Sequence, residues 1–166
     1  MKNEWMQAQS LFCGITRQLI EKGMTVSTME SCTSGLIASL LTDTEGASAI
    51  CPGGFVTYCN RAKVMQGVPA AVIETYGVYS EQTAAAMAEA CRRAYQTDFG
   101  IGVTGSFGNP DPNNADSKTG TVFFALSCEK GTKSFCFLTG EQESRFDYKT
   151  VTALAVGKAF ADLLNS

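Results

Sequence analysis

A serine needs a base before it can attack a carbonyl carbon, and this chain has no histidine to serve as one. The eligible residues fall at three places. Ser31 lies in the run ESCTSG (30–35), between a β-type run at 25–29 and an apolar helical run at 36–41. A serine directly after a strand, with a helix opening beyond it, sits among backbone N–H groups that point outward. Those donors and the helix dipole favour negative charge, whether a phosphate or a developing oxyanion. The plainer role for Ser31, Thr33 or Ser34 is to cap the helix. Cys32 is the other nucleophile of this turn, and it ranks below the serine because no partner base accompanies it.

The second place is YCNRAK (58–63). Without histidine, lysine and the carboxylates are the available bases. A lysine held in a partly desolvated site loses its preference for charge and can take a proton. Lys63 stands five residues past the end of a strand expected over 53–58, within reach of a neighbouring strand's tip. Tyr58 is placed to hydrogen-bond a substrate or Ser31. The plainer alternatives are a solvated lysine and an ordinary strand aromatic. The third place is GVTGSFGN (102–109), where glycines after a strand let backbone approach a ligand. The run 102–109 by itself matches neither G-x-G-x-x-G nor a P-loop, so no dinucleotide fold or Walker site is expected from it.

These places must be held by elements. Residues 4–22 carry Ala8, Leu11, Phe12, Ile15 and Leu19 on one helical face, and Gly23 ends the pattern. Asn60 is expected to cap a short helix bearing Lys63, and 69–76 forms another. Ser80 is expected to cap an Ala-rich helix over 81–96. Residues 99–104 read as a strand. The Gly-, Pro- and Asn-rich stretch 105–118 reads as a long loop, the kind usually functional. Strands at 120–128 and 134–138 flank a hairpin signal, and a helix closes the chain over 145–164. Strands separated by helices predict an α/β fold: a three-layer α/β/α sandwich with a mixed five-stranded sheet, one strand antiparallel. Ligands of such sheets sit at the carboxyl ends of the strands, which brings 30–35, 58–63 and 104–118 together.

Composition narrows the class. A chain of 166 residues with 45% apolar and 17% charged residues can bury a core as one domain. A net charge of −3 offers no basic surface for nucleic acid or membrane. Seven cysteines without a pairing pattern, and no signal-like start, predict reduced thiols in the cytoplasm. With no histidine and no C-x-x-C pair, no metal is expected. Trp5, Met6, Leu11 and Phe12 form either a partner surface or the inner face of a helix on its own sheet; the second is the commoner fate.

Taken in order, ESCTSG, YCNRAK, GVTG and KTGTVFFA (118–125) resemble the C-terminal domain of the competence/damage-inducible protein CinA. The resemblance covers nearly all of residues 1–166. It implies the same sandwich fold and hydrolysis of nicotinamide mononucleotide to nicotinate mononucleotide and ammonia, without cofactor or metal. It implies Ser31 as nucleophile, Lys63 as base and Tyr58 as assistant. Substrate would be held by Glu30, Thr33, Ser34 and Gly35 in the first turn, by Asn60, and by Thr104 and Gly105 in the third loop. The partners implied are a small-molecule nucleotide and a second copy in a homodimer. Several positions depart from the family pattern. Ser34 stands for the first of two paired glycines, and Cys59 for a serine. The third loop reads GSFGNP (105–110) in place of G-I-A-G-P. The family's G-D-R appears as GEQ (140–142), leaving Arg145 to supply the guanidinium.

Overall fold

The computed structural model describes residues 2–108 and 111–166; Asn109 and Pro110, part of the loop expected over 105–118, lie outside the described residues, as does Met1. The chain opens with α1 (Lys2–Lys22), β1 (Val26–Glu30) and α2 (Leu36–Thr42). A 3-10 turn (Ala47–Ala49), β2 (Gly54–Val56), α3 (Asn60–Met65) and α4 (Ala70–Tyr76) follow. The rest is α5 (Glu81–Tyr95), β3 (Phe99–Ser106), β4 (Thr121–Cys128), β5 (Gly131–Leu138) and α6 (Arg145–Leu164).

The five strands form one sheet in the order β2-β1-β3-β4-β5. The first three neighbours run parallel, and β4 is antiparallel to both β3 and β5. The fold is therefore the expected α/β sandwich with one reversed strand. Helices α1, α2 and α6 cover one face, where Phe12, Leu19, Ile37, Leu41, Val156 and Phe160 pack on Val26, Ile101, Val103 and Phe124. Helix α5 covers the other face, setting Met87 and Cys91 against Met29, and Ala84 and Ala88 against Ala125. The α1 stripe is a core stripe: Phe12 is buried, Leu11 partly so, and Trp5 packs at a tilt against Phe146, while Met6 stays exposed.

Strand β3 shows how sequence sets this packing. Its alternation puts Ile101 and Val103 toward the larger core and Gly100 and Gly102 beneath α5. A Cβ on Gly102 would lie 2.3 Å from the Ala84 carbonyl oxygen and 2.5 Å from the Ala88 nitrogen. Both are helix backbone, so neither can yield. Gly102→Ala is expected to lift α5 from the sheet and to destabilise the chain by about 2–3 kcal/mol, read as a lower Tm.

Four local expectations are corrected. Strand β2 covers three residues, not six, because it is an edge that pairs with β1 only over Gly54–Val56. The cap of α3 is Cys59, whose sulfur accepts the Ala62 N–H at 3.4 Å; Asn60 is the first helical residue. Strand β3 runs on to Ser106 because Thr121 of β4 pairs with it. Cys128 pairs with Gly131, so β5 starts three residues earlier than expected. Ser80 does cap α5, accepting the Thr83 N–H at 3.1 Å.

Candidate active site

Parallel strands β1 and β2 end side by side, Glu30 opposite Val56. Alternation turns Glu30 toward α2, so the next residue, Ser31, faces the other side. There α3 turns Lys63 back over the strand tips. Lys63 Nζ lies 3.1 Å from Ser31 Oγ and 2.9 Å from the Thr57 carbonyl oxygen. The lysine is only 1% exposed and has no carboxylate within ion-pair distance among the described residues. Burial pulls its pKa down from 10.5 to about 8, opposed more weakly by Cys32, Cys59 and Asp111. An amine near neutrality, touching a hydroxyl and anchored by a carbonyl, can accept the hydroxyl proton. The neighbouring thiol cannot compete. Burial first, and the Glu30 charge second, push Cys32 up to about 12, against the pull of nearby amides and Lys63.

The pair opens into a cleft of about 480 Å³, a common size for a small-ligand site. Gly105, Ser106 and Phe107 of the β3 end form one wall, and Tyr79 ahead of α5 forms another. Arg145, the first residue of α6, reaches the rim. Its guanidinium donates to the Tyr58 hydroxyl at 3.0 Å and lies 5.7 Å over the Phe107 ring. Phe107 in turn stacks on Tyr148. Asp111 accepts from the Tyr79 hydroxyl at 2.6 Å and from Asn114, and Asn114 accepts from Asn60 at 2.9 Å. These bonds tie the long loop across the cleft to α3 on one side and the α5 approach on the other.

The profile of the CinA C-terminal domain matches residues 8–165. The chain belongs to the CinA C-terminal domain family. A CinA-like protein of Geobacter sulfurreducens is 41% identical over 143 residues, covering 84% of this chain and 34% of that one. A putative competence-damage inducible protein of Desulforudis audaxviator is 44% identical over 115 residues, 69% of this chain and 28% of its own. The chain thus spans about a third or less of these curated relatives. Among solved structures, the competence/damage inducible protein CihA from Agrobacterium tumefaciens superposes with a TM-score of 0.84 at 32% identity, covering 96% of each chain. A CinA superfamily protein from Escherichia coli superposes with 0.85 at 25% identity, covering 94% of this chain and 90% of that one.

Set against the CinA motifs, the candidate residues divide. Ser31, Lys63, Tyr58, Asn60, Gly105 and Arg145 line the cleft. Glu30, Thr33, Ser34, Gly35 and Thr104 lie outside that lining. Glu30 is 0% exposed, and its carboxylate accepts the N–H groups of Gly35 (3.0 Å), Ile37 (3.1 Å) and Ala38 (2.8 Å). The start of α2 is therefore already occupied by an internal carboxylate, which takes those three donors. The Ser31 N–H is also taken, by the Val103 carbonyl. Ser34 holds a left-handed φ of 46° and accepts from Lys149. That conformation explains the glycine of the CinA pattern at this position, and a serine there is strained by about 1 kcal/mol. The Thr33 hydroxyl is buried without a hydrogen-bond partner among the described residues, and Thr104 donates to the Val78 carbonyl. Tyr58 is 62% exposed and its hydroxyl is engaged by Arg145, so it serves the rim. Tyr79, Phe107, Asp111 and Asn114 escaped the sequence reading. Phe107 falls within GVTGSFGN but was given no role, and for Asp111 and Asn114 only the loop's length marked the region.

Proposed function

We propose that this chain is an amidohydrolase that removes ammonia from the carboxamide of nicotinamide mononucleotide. The reading rests on one observation, the 3.1 Å contact between Ser31 Oγ and a buried Lys63 Nζ whose pKa lies at about 8. Neutral Lys63 takes the Ser31 proton as Oγ attacks the carboxamide carbon. The resulting ammonium gives that proton to the amide nitrogen, the C–N bond breaks, ammonia leaves and the acyl group stays on Ser31 as an ester. Lys63 then draws a proton from water, whose oxygen attacks the ester; the carboxylic acid leaves and Ser31 regains its proton. The Thr57 carbonyl keeps the amine aimed throughout. Arg145, fixed by Tyr58 and Phe107, offers the rim a fork suited to a phosphate.

An ammonia-release assay with millimolar nicotinamide mononucleotide, with product identification, tests the reading. Turnover should rise as pH approaches about 8 and then level, because the working lysine is the unprotonated one. Ser31→Ala should fall to background, a loss of roughly 10⁴-fold or more. Wild-type ammonia release no faster than that variant's would rule the reading out. The wall built by Phe107 and Asp111, in the loop that departs from the CinA motif, favours testing other small amides alongside.

A further inference from the structure

Helix α6 touches the turn after β1 at a point outside the cleft, and the role assigned to that contact rests on Ser31 acting as the nucleophile. The Ser31 backbone is held at both ends. Its N–H donates to the Val103 carbonyl, and its own carbonyl accepts the Ser34 N–H, both at 3.0 Å. The second bond closes the 31–34 turn, and Ser34 makes it at a left-handed φ of 46°. A serine leaves that conformation more readily than the glycine of the CinA pattern, because its Cβ crowds the following carbonyl. One side chain opposes the departure. Lys149 Nζ donates to Ser34 Oγ across 115 residues of chain. The lysine is half-buried, and among the described residues no carboxylate lies within ion-pair distance of it. Its helix is firmly seated: Ser144 caps it by accepting the Asp147 N–H at 3.1 Å, and Val156 and Phe160 lie in the core. Lys149 stands four residues past Arg145, on the same helix face, so consecutive turns of α6 reach the cleft rim and the turn that carries Ser31.

We propose that Lys149 is a positioning residue for the nucleophile: through Ser34 it keeps the 31–34 turn closed, and so keeps Ser31 Oγ at Lys63 Nζ. A hydrogen bond from a charged amine outweighs the strain of one left-handed serine. Ser34 and Lys149 act as a pair, doing together what an unstrained glycine does alone at this position. Lys149 itself lies outside the cleft lining and acts only through Ser34.

The test combines ammonia release from nicotinamide mononucleotide with amide hydrogen exchange at Ser34, followed by NMR on the ligand-free protein. Lys149→Met should lower kcat about tenfold with KM within about twofold, and should speed Ser34 exchange by roughly the same factor. In a Ser34→Gly background the same Lys149→Met change should lower kcat by less than about twofold, because glycine holds the turn without help. A purely supporting role for Lys149 within α6 would lower Tm in both backgrounds, and the glycine would not shield kcat. Unchanged kcat or unchanged Ser34 exchange in Lys149→Met overturns the proposal, and so does an equal loss of kcat in the Ser34→Gly background. The two readouts separate the proposal from the reading beneath it. If wild type releases no ammonia, the reaction falls and exchange at Ser34 alone decides whether Lys149 holds the turn. If wild type and Lys149→Met turn over equally well, the positioning role falls and the reaction stands.

Discussion

Lys63→Met is expected to lower amide hydrolysis by about 10²–10⁴-fold while leaving the protein at least as stable as wild type. The two halves come from one cause. The amine is buried, and burial shifts its folded pKa to about 8 from 10.5. Between these values the unfolded chain holds a proton that the folded chain has released, so stability rises with pH across that window. Below about pH 8 both states are protonated, and the folded state bears the whole cost of a buried charge, about 3 kcal/mol. Methionine fills nearly the same volume without the charge. It also leaves the Thr57 carbonyl without its donor, which returns part of the gain. Net stabilisation at pH 7 should fall between zero and about 3 kcal/mol. Denaturant melts at pH 7 and pH 10 check this, since the advantage of the variant should vanish at the higher pH. A fully active variant would show that Lys63 is not the base. A variant that unfolds would show that its amine is structural.

Glu30→Ala is expected to be the most damaging single change in the first turn, though Glu30 touches no ligand. Its carboxylate is the acceptor for three backbone N–H groups at the start of α2, a seven-residue helix whose cap residue, Gly35, offers no side-chain acceptor. Removing it strands those donors in a dry site and opens a cavity. Hydrogen bonds to a charged group are worth roughly 1.5–3 kcal/mol each, so a loss of about 4 kcal/mol or more is expected. For a domain of this size that lowers Tm by roughly 10 °C or more. Glu30→Gln keeps the shape but turns an N–H donor toward backbone donors, and should cost about half as much. A Tm for Glu30→Ala within about 2 °C of wild type would show that the three bonds contribute little. Because Ser31 follows Glu30 directly, the surviving fraction of Glu30→Ala should also lose activity.

Much of this was legible beforehand because it follows from local pattern. The α1 stripe from Ala8 to Leu19, the Ser80 cap and the span of α6 are repeats or end signals that a helix or strand imposes within a few residues. Brief or edge features were less legible. Strand β2 stops at Val56 because it has one neighbour, and no local signal reports how many neighbours a strand will have. The surroundings of Glu30 were hidden for a related reason. A buried carboxylate and a ligand-binding one look alike in sequence, and only the direction of alternation along β1 separates them.

The amino-acid order alone determined which chemistries were open to this protein. With no histidine, a serine at a strand tip was left with lysine or a carboxylate, and the resemblance to the CinA motifs pointed to Lys63. Tertiary structure decided whether the amine would be charged, because protonation depends on how much water surrounds it, and that is set by α3 folding over the strand tips. It also decided what faces the amine across the cleft. Tyr79 comes from one stretch of chain and Asp111 and Asn114 from another, and the two meet only once β3 and α5 are packed. Side-chain chemistry is written residue by residue; the solvent and the neighbours that tune it are properties of the packed chain.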